Sequence, residues 1–308
     1  MTEPELALPT PSISVIVAIS RAAPDPSRTL ASLESQGRAD LAELLLVDRA
    51  DRRPVADREA GRMPCRRLQL PDANLPRLKE VAIRAARADI VAILDSTTSA
   101  KAEWLGEILA AFDDPTVAAV GGSVSLANAK SRTSRALFLF EYGAFNPPFE
   151  SGSTEGDLPG NNVAYRRSLL LEGCAEVLDR DGFNKPFCHQ RLREMGGRLV
   201  LRPRMAVRHR APSDFGAVAR SRFHYGRCFG ATRRRRSTPA MSMLYIVGSP
   251  LVPLLLVVRH LRRCLGHAAN RRLLGGATAP LVGICLSWGF GEWLGSWFGA
   301  GSSCRELR

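Results

Sequence analysis

Lysine is scarce in this sequence. Only four lysines occur among the 43 basic residues of the 308-residue chain: Lys79, Lys101, Lys130 and Lys185. The formal net charge of +13 is therefore carried almost entirely by arginine, whose planar guanidinium suits bidentate contacts with phosphate and carboxylate. Such a basic excess predicts nucleic acid, an anionic membrane surface or phosphorylated substrates as partners, unless it only reflects a compositional bias of the genome.

Paired cysteine motifs are also missing. The seven cysteines are scattered, odd in number and never spaced as CxxC, which argues against a zinc ribbon or a disulfide framework and indicates a reducing compartment. We expect these cysteines to be buried or lipid-facing and inert. The opening residues MTEPELALPTPS contain no basic stretch followed by an apolar core, so we expect no signal peptide.

The first third of the chain alternates short strand-like and helix-like segments. Strands are predicted at residues 13–19, 43–47, 66–70 and 90–94. Helical spacing of apolar residues predicts helices at 28–35 and 75–88, whereas the polar residues 49–62 are predicted to be irregular or weakly helical. This alternation predicts a mostly parallel α/β sheet with helices on both faces.

Two of the predicted strands end in a carboxylate. Asp48 closes the second strand and Asp95 closes the run ADIVAILD. In open α/β sheets the ligand crevice lies at the carboxyl ends of the strands, so both side chains are candidates for ligand binding. The alternative is that each aspartate only caps its strand.

The middle of the chain continues the pattern of strands and helices. Further elements are predicted as a helix at 100–112, a strand at 117–126, a helical stretch at 132–145, a short strand ending at Tyr165, helices at 168–177 and 187–195, and short strands at 199–201 and 205–207. Residues 179–186 are predicted to form an irregular polar loop.

The last third changes character. Residues 215–236 interleave arginines with aromatics, which suits a helix on a membrane surface. Nucleic acid is the competing interpretation, but no recognised nucleic-acid module accompanies the segment.

Residues 240–258 carry no charge and would reach about 28 Å as a helix, which is close to the thickness of a bilayer core. Residues 276–301 form a second apolar stretch with three tryptophans. Arginines flank the first stretch on both sides, so a re-entrant or interfacial hairpin and two full spans both stay open.

Several motifs in this order resemble family 2 glycosyltransferases with the GT-A fold. The resemblance covers residues 11–236 and rests on SISVIVAIS, LLLVD, ADIVAILDS, KAEWLGEILAAF and VAAVGGSV. Its most specific parts are PGNNVAYRRSLLLE and RLREMGGRLVLRPRMAVRH. In that family, a nucleotide-diphosphate sugar lies over the carboxyl ends of the strands and a divalent metal neutralises the diphosphate.

The resemblance implies a domain plan and a function. Residues 11–126 would form the nucleotide-sugar-binding half of a GT-A domain, residues 127–236 its acceptor-binding half, and residues 237–308 an apolar, membrane-associated helical region. The chain would be an enzyme that moves a sugar from a nucleotide-diphosphate sugar to a lipid-linked or polysaccharide acceptor. It would lie at the cell membrane with its catalytic domain on the cytoplasmic side, and nucleic acid would not be a partner.

The resemblance also assigns roles to individual residues. Asp48 would contact the base or ribose, and Asp95 would bind the diphosphate or a divalent metal, Mg²⁺ or Mn²⁺. The remaining substrate-binding residues would be Gly160, Asn161, Asn162, Arg191 and His209.

Two carboxylates of the family pattern are replaced in this chain. The second aspartate of the DxD motif falls on Thr97, and the acceptor-side Glu-Asp pair falls on Asn184 and Lys185. Asp179 and Asp181 are then the nearest substitutes for a catalytic base. The alternatives are a catalytically impaired relative that binds a nucleotide, a glycan or a partner enzyme, and a basic membrane scaffold without a small-molecule site.

Overall fold

The computed structural model describes residues 12–19, 25–37, 42–49, 63–154 and 156–307. Residues 1–11, on which the expectation about a signal peptide rests, lie outside these ranges. Residues 50–62, which make up nearly all of the predicted irregular stretch, also lie outside them.

The first half of the sheet is parallel, as the sequence predicts. It contains β1 (Ile13–Ala18), β2 (Ala42–Asp48), β3 (Cys65–Gln69) and β4 (Ile90–Asp95). These strands lie in the order β3-β2-β1-β4 and are all parallel to one another. Two helices connect them, α1 (Ser27–Glu34) and α2 (Leu75–Ala85). Because β1 and β2 are buried along their whole length, the carboxyl ends of these strands form one continuous edge.

The second half extends the same sheet. Its strands are β5 (Thr98–Ala100), β6 (Val117–Leu126), β7 (Gly152–Ser153), β8 (Asn162–Arg166) and β9 (Arg198–His209). The sheet continues β4-β8-β6-β9-β5, with β7 also on β9. Strand β8 is antiparallel to both β4 and β6, whereas β6 and β9 are parallel. The structure therefore has a mixed α/β architecture, with a parallel first half and an antiparallel strand, β8, in the middle of the sheet.

Helices cover both faces of this sheet. They are α3 (Trp104–Phe112), α4 (Arg132–Tyr142), α5 (Arg167–Gly173), α6 (Ala175–Asp181) and α7 (Lys185–Glu194). One core, with Trp104 and Phe138, lies on one face, and a second core, with Leu78 and Tyr165, lies on the other.

Several elements differ from the sequence prediction. The strands β5 and β7 are not predicted, the helix predicted at 100–112 begins at Trp104, and the helix predicted at 168–177 is divided into α5 and α6. The two short strands predicted around Pro203 are one strand, β9, whose pairing with β6 shifts register between Gly122 and Val124. The resulting bulge accommodates Pro203, which has no N–H to donate to the ladder. Residues 179–186 are not an irregular loop throughout, because Asp179 and Asp181 form the last turn of α6.

The C-terminal region is helical. It contains α8 (Phe215–Arg235), α9 (Pro239–Gly248), α10 (Val252–Gly266), α11 (Ala268–Leu274) and α12 (Thr278–Phe298). A 3-10 turn joins α9 to α10, so that Pro239–Gly266 is a 28-residue helical segment with a mean hydropathy of 2.1 over its most apolar window. This segment is long and apolar enough to cross a membrane. Helices α11 and α12 meet at 96°, and this bent pair passes the same test only as a unit.

Glycines bring α8 and α12 into backbone contact. A Cβ atom on Gly226 would overlap the carbonyl oxygen of Trp288, and one on Gly291 would overlap that of Phe223. The second apolar stretch, α12, thus packs along the arginine-rich helix α8. The sequence pattern alone would also be compatible with two separate helices, one on a membrane surface and one inside the membrane.

The cysteine expectation is wrong for one pair. Cys228 of α8 and Cys304, which are 76 residues apart, form a disulfide. So large a separation leaves no local motif, which is why the sequence does not reveal the pair. Cys174, Cys188, Cys264 and Cys285 are buried thiols, whereas Cys65 is an exposed thiol, so the expectation that every cysteine is buried or lipid-facing is also wrong for Cys65.

Candidate functional site

Asp95 ends β4 at the edge of the sheet and is paired with a lysine. Lys79 Nζ lies 2.8 Å from Asp95 Oδ1, and the Lys79 side chain is only 9% exposed against 23% for Asp95. Lys79 lies on helix α2, whose N-cap is Asn74; the Asn74 side chain accepts a hydrogen bond from the Arg77 N–H. No motif in the sequence marks Lys79 as a functional residue. The available signal was one lysine on the apolar side of an otherwise ordinary amphipathic helix.

Asp48 ends β2 at the same edge of the sheet. One carboxylate oxygen is ion-paired with Arg67 of β3. The other oxygen, Oδ1, is buried, and no group in the described part of the chain hydrogen-bonds to it. Buried polar atoms without partners are rare in folded proteins, so Asp48 presents an acceptor that a ligand could satisfy.

His209 ends β9 and reaches the loop that follows Asp95. Its Nδ1 lies 3.3 Å from the hydroxyl oxygen of Thr97, because β5 and β9 pair Thr98 with His209. Burial lowers the pKa of His209, although the negative charges of Glu141 and Asp95 oppose this effect. The imidazole is therefore neutral at pH 7, and within the described residues its Nε2 has no hydrogen-bond partner.

A second carboxylate is close to this group. Glu141, at the end of α4, forms an ion pair with Arg222 of α8. Glu141 is followed by Tyr142, whose ring contacts the imidazole of His209 with the ring centroids 4.9 Å apart, and the charges of Glu141 and Asp95 both raise the pKa of His209. The guanidinium of Arg222 lies over the ring of Tyr225 at 4.4 Å, and burial raises the pKa of that tyrosine to about 12. Glu141 is not recognisable from the sequence, since an acidic residue inside a helix carries no motif.

The GNN segment lies where β8 meets β4. Asn161 Nδ2 donates to the hydroxyl of Thr98 at 3.3 Å, while its buried Oδ1 has no partner among the described residues. Asn162 accepts from Trp104 Nε1 at 2.7 Å and donates to the carbonyls of Ser123 and Met205. Asn162 therefore anchors β8 in the sheet, whereas Asn161 still has an acceptor to offer.

Lys185 lies beside Gly160. A Cβ on Gly160 would lie 3.6 Å from the Lys185 stem, and Lys185 Nζ is 2.5 Å from both an Asp157 carboxylate oxygen and the Leu158 carbonyl. A lysine held by a carboxylate in this way is not available as a base. The position of the family's acceptor-side aspartate is thus occupied by a structural cation.

Asp157 connects Lys185 to a buried histidine. His189 Nδ1 hydrogen-bonds to Asp157, and His189 Nε2 lies 2.6 Å from the hydroxyl of Tyr165. Burial alone would raise the pKa of Asp157, but the His189 hydrogen bond and the charge of Lys185 hold it well below its usual value. Burial also lowers the pKa of His189, against the effect of Asp157.

The other predicted site residues lie apart from Asp95. Asp181 pairs with Arg235 and Arg236 at 2.5 and 2.8 Å, and Asp179 pairs with Arg84. Both aspartates line a cavity of about 560 Å³ whose wall also contains Asn184, Arg77, Thr232 and the Cys228–Cys304 disulfide. Arg191, on α7, pairs with Glu194 and is half exposed.

The donor atoms around Asp95 do not fit a divalent cation of the family type. Mg²⁺ and Mn²⁺ prefer several oxygen ligands that include carboxylates. Here Asp95 is paired with Lys79 and the Thr97 hydroxyl with His209. Across the described ranges, no three His, Cys, Asp or Glu side chains converge to hold an ion.

Comparison with known proteins identifies the fold around this crevice. The model of the family "Glycosyl transferase family 2" matches residues 14–173. The mannosyltransferase PcManGT from Pyrobaculum calidifontis, solved with GDP-Man and Mn²⁺, superposes with a TM-score of 0.60 at 17% identity, covering 94% of this chain and 87% of that protein. The S. aureus protein TarS 1-349, solved with UDP-GlcNAc, gives a TM-score of 0.46 at 15% identity, covering 66% of this chain and 59% of that one. No curated protein sequence matches the chain.

The matched family region ends with α5 and contains Asp48, Asp95 and the GNN segment. It also contains Lys79 and Glu141, the two crevice residues that the sequence analysis did not select. The chain therefore belongs to glycosyl transferase family 2, has a GT-A-type fold, and is a glycosyltransferase that uses nucleotide-sugar donors.

Proposed function

We propose that this enzyme transfers a sugar from a nucleotide-diphosphate sugar to a lipid-linked or polysaccharide acceptor at a membrane surface. One observation carries the placement of the donor. Asp48 Oδ1, Asn161 Oδ1 and His209 Nε2 are buried, lie at the carboxyl edge of one sheet and have no hydrogen-bond partner among the described residues. Each buried polar atom without a partner destabilises the folded protein by about 1–3 kcal/mol. A polar ligand that pairs with all three atoms would therefore be strongly favoured.

The donor fits this edge with its parts in a fixed order. Asp48, oriented by Arg67, accepts hydrogen bonds from the ribose or the base. The diphosphate lies by Asp95 and His209, and the sugar lies over Gly160 and Asn161, next to the point where β8 joins β4. This order follows the spatial order of the strands, β2, then β4, then β8.

The acceptor side supplies the proton acceptor. The acceptor oxygen attacks the anomeric carbon, the bond from that carbon to the diphosphate oxygen breaks, and the acceptor proton passes to a carboxylate. Glu141 is our candidate for this carboxylate, because the next residue, Tyr142, contacts His209. The predicted residues Asp179 and Asp181 line a separate cavity of about 560 Å³, which we propose as the binding site for a more distant part of the acceptor.

The C-terminal helices explain how a lipid-linked acceptor would reach the enzyme. Pro239–Gly266 presents a continuous apolar face, made of Met243, Leu244, Val247, Leu251, Leu254, Leu255 and Val258. Arginines stand at both ends of this segment, Arg233–236 before it and Arg262 and Arg263 within its last turn. Apolar area next to arginine favours an anionic membrane. We place the catalytic domain on the cytoplasmic side, where basic residues accumulate.

Calorimetry with UDP- and GDP-sugars, followed by turnover on extracted lipid-linked acceptors, tests the proposal. We expect one nucleotide to bind and its sugar to be transferred. Absence of binding by every donor would refute the donor placement. Tight binding without turnover on any acceptor would instead identify the impaired relative, an interpretation favoured by Lys185 at the position of the acceptor-side aspartate.

A further inference from the structure

The carboxylate at the first DxD position already has a cation beside it. Lys79 reaches Asp95 from a helix whose neighbouring residues Leu78 and Ala82 are buried in the core, and its ammonium lies 2.8 Å from Asp95 Oδ1. A charge held at this depth is screened far less than a surface charge. The chain thus supplies its own positive charge at the place where the family pattern expects an ion.

The second DxD position has lost its charge in the same chain. Thr97 offers a neutral hydroxyl, and that hydroxyl is 3.3 Å from His209 Nδ1. Replacing an aspartate with threonine removes one negative charge, and a buried lysine adds one positive charge. Both changes make the local charge more positive, which disfavours binding of a cation and favours direct binding of an anion.

Lysine at this position is informative because nearly all the other basic residues are arginine. An arginine beside Asp95 would bind the carboxylate through two parallel hydrogen bonds and hold it. A lysine presents a single point charge on a flexible stem, so it can turn from one anion to another without breaking a bidentate pair.

We propose that Lys79 neutralises the donor diphosphate, the role a divalent cation has in related enzymes, so that transfer does not require a divalent cation. This inference rests on the proposed function. When the bond between the anomeric carbon and the diphosphate oxygen breaks, both electrons stay on that oxygen. The ammonium of Lys79 stabilises the charge formed there, while Asp95 orients the ammonium and the acceptor proton passes to a carboxylate.

Calorimetry with nucleotides that differ by one phosphate tests this role. GDP and UDP are compared with GMP and UMP, in EDTA and in Mn²⁺. For the preferred base, the diphosphate binds more tightly than the monophosphate in EDTA, and Mn²⁺ changes its Kd by less than about threefold. Lys79→Met weakens diphosphate binding about ten- to a hundredfold and leaves the monophosphate unchanged. Lys130→Met, at an exposed lysine, is the matched control and alters neither.

Two further variants keep the test decisive if Lys79→Met does not fold. Lys79→Met with Asp95→Asn removes both charges together, so no unpaired carboxylate is left, and we expect the same loss of diphosphate affinity. Lys79→Met with Thr97→Asp restores the family charge pattern. Mn²⁺ titration followed by electron paramagnetic resonance then shows binding of about one ion per chain in this variant and none in the wild type.

The contrary results are distinct from failure of the proposed function. Stoichiometric Mn²⁺ binding by the wild type, together with diphosphate binding that disappears in EDTA, would overturn the role of Lys79 and leave the glycosyltransferase assignment intact. If neither diphosphate binds in either buffer, both proposals fall.

Discussion

The guanidinium of Arg233 on α8 lies 2.8 Å from Glu292 Oε1 on α12. Glu292 is the only charged residue of that apolar helix, and its carboxylate also accepts a hydrogen bond from Trp288 Nε1. Arg233 is further held over the ring of Tyr245 at 4.2 Å. The C-terminal helices are therefore tied to α8 by a buried charge pair, and α8 in turn contributes Arg222, which is ion-paired with the candidate proton acceptor Glu141.

Breaking this pair should destabilise the enzyme. Glu292→Gln leaves Arg233 largely buried without a counter-charge, and we expect a loss of about 3 kcal/mol in unfolding free energy. Thermal and denaturant unfolding in detergent measures it. Glu172→Gln, at an exposed position on α5, serves as the control and should change stability by less than about 0.5 kcal/mol. Equal stability of the two variants would show that the pair contributes little.

The glycine contacts between α8 and α12 give a second test. Gly226→Ala forces a Cβ into the Trp288 carbonyl and should cost about 2 kcal/mol or more. Gly106→Ala is the control, because no atom lies within 4 Å of a Cβ at that helical position. Alanine there should stabilise the protein by about 0.5–1 kcal/mol. A stabilising Gly226→Ala would contradict the close approach of the two helices.

Acidification should weaken the fold through its buried histidines. Burial lowers the pKa values of His189 and His209 in the folded state below the usual value of about 6.5. The unfolded chain then binds more protons than the folded one, so the stabilisation is present above pH 6.5 and is lost as the pH falls through the folded pKa values. We expect unfolding free energy to decrease between about pH 7 and pH 5.

Substitution separates this effect from general acid denaturation. His209→Gln should flatten the dependence of stability on pH in that window, because the variant lacks the buried imidazole whose pKa is lowered. An identical slope in the variant and the wild type would mean that His209 does not contribute.

The carboxylates of Glu141 and Asp181 should affect different kinetic constants. Glu141→Gln should lower kcat about 10²- to 10⁴-fold, because Glu141 adjoins the His209 contact residue Tyr142 and is our candidate proton acceptor. Asp181→Asn should mainly raise the KM for the acceptor, since Asp181 lines the cavity in which we place part of the acceptor. Steady-state kinetics with a saturating donor distinguishes them. The reverse pattern would return the catalytic role to Asp181.

Membrane binding should depend on the apolar face of Pro239–Gly266. Leu251→Glu with Leu255→Glu places two charges on exposed positions of that face and should reduce co-sedimentation with vesicles containing phosphatidylglycerol at least about tenfold. Met195→Glu, an exposed apolar position outside the C-terminal helices, is the matched control. Unchanged binding of the double variant would show that this face does not contact lipid.

The sequence by itself determined the order of strands and helices in the first half, the placement of Asp48 and Asp95 at strand ends, and the family. These features are local, because buried strands and amphipathic helices each leave a periodic pattern of apolar residues. The same reasoning found the apolar segments of the C-terminal region, but it could not show that α12 packs along α8.

Only the tertiary structure decided which side chains meet. Lys79 approaches Asp95 from a different element, Glu141 and Arg222 are 81 residues apart, and Cys228 and Cys304 are joined across 76 residues. Such pairings depend on how helices pack on the sheet. They produce no regular spacing in the sequence from which they could be predicted. The DxD position was therefore visible in the sequence, whereas the lysine that sets its charge was visible only in the fold.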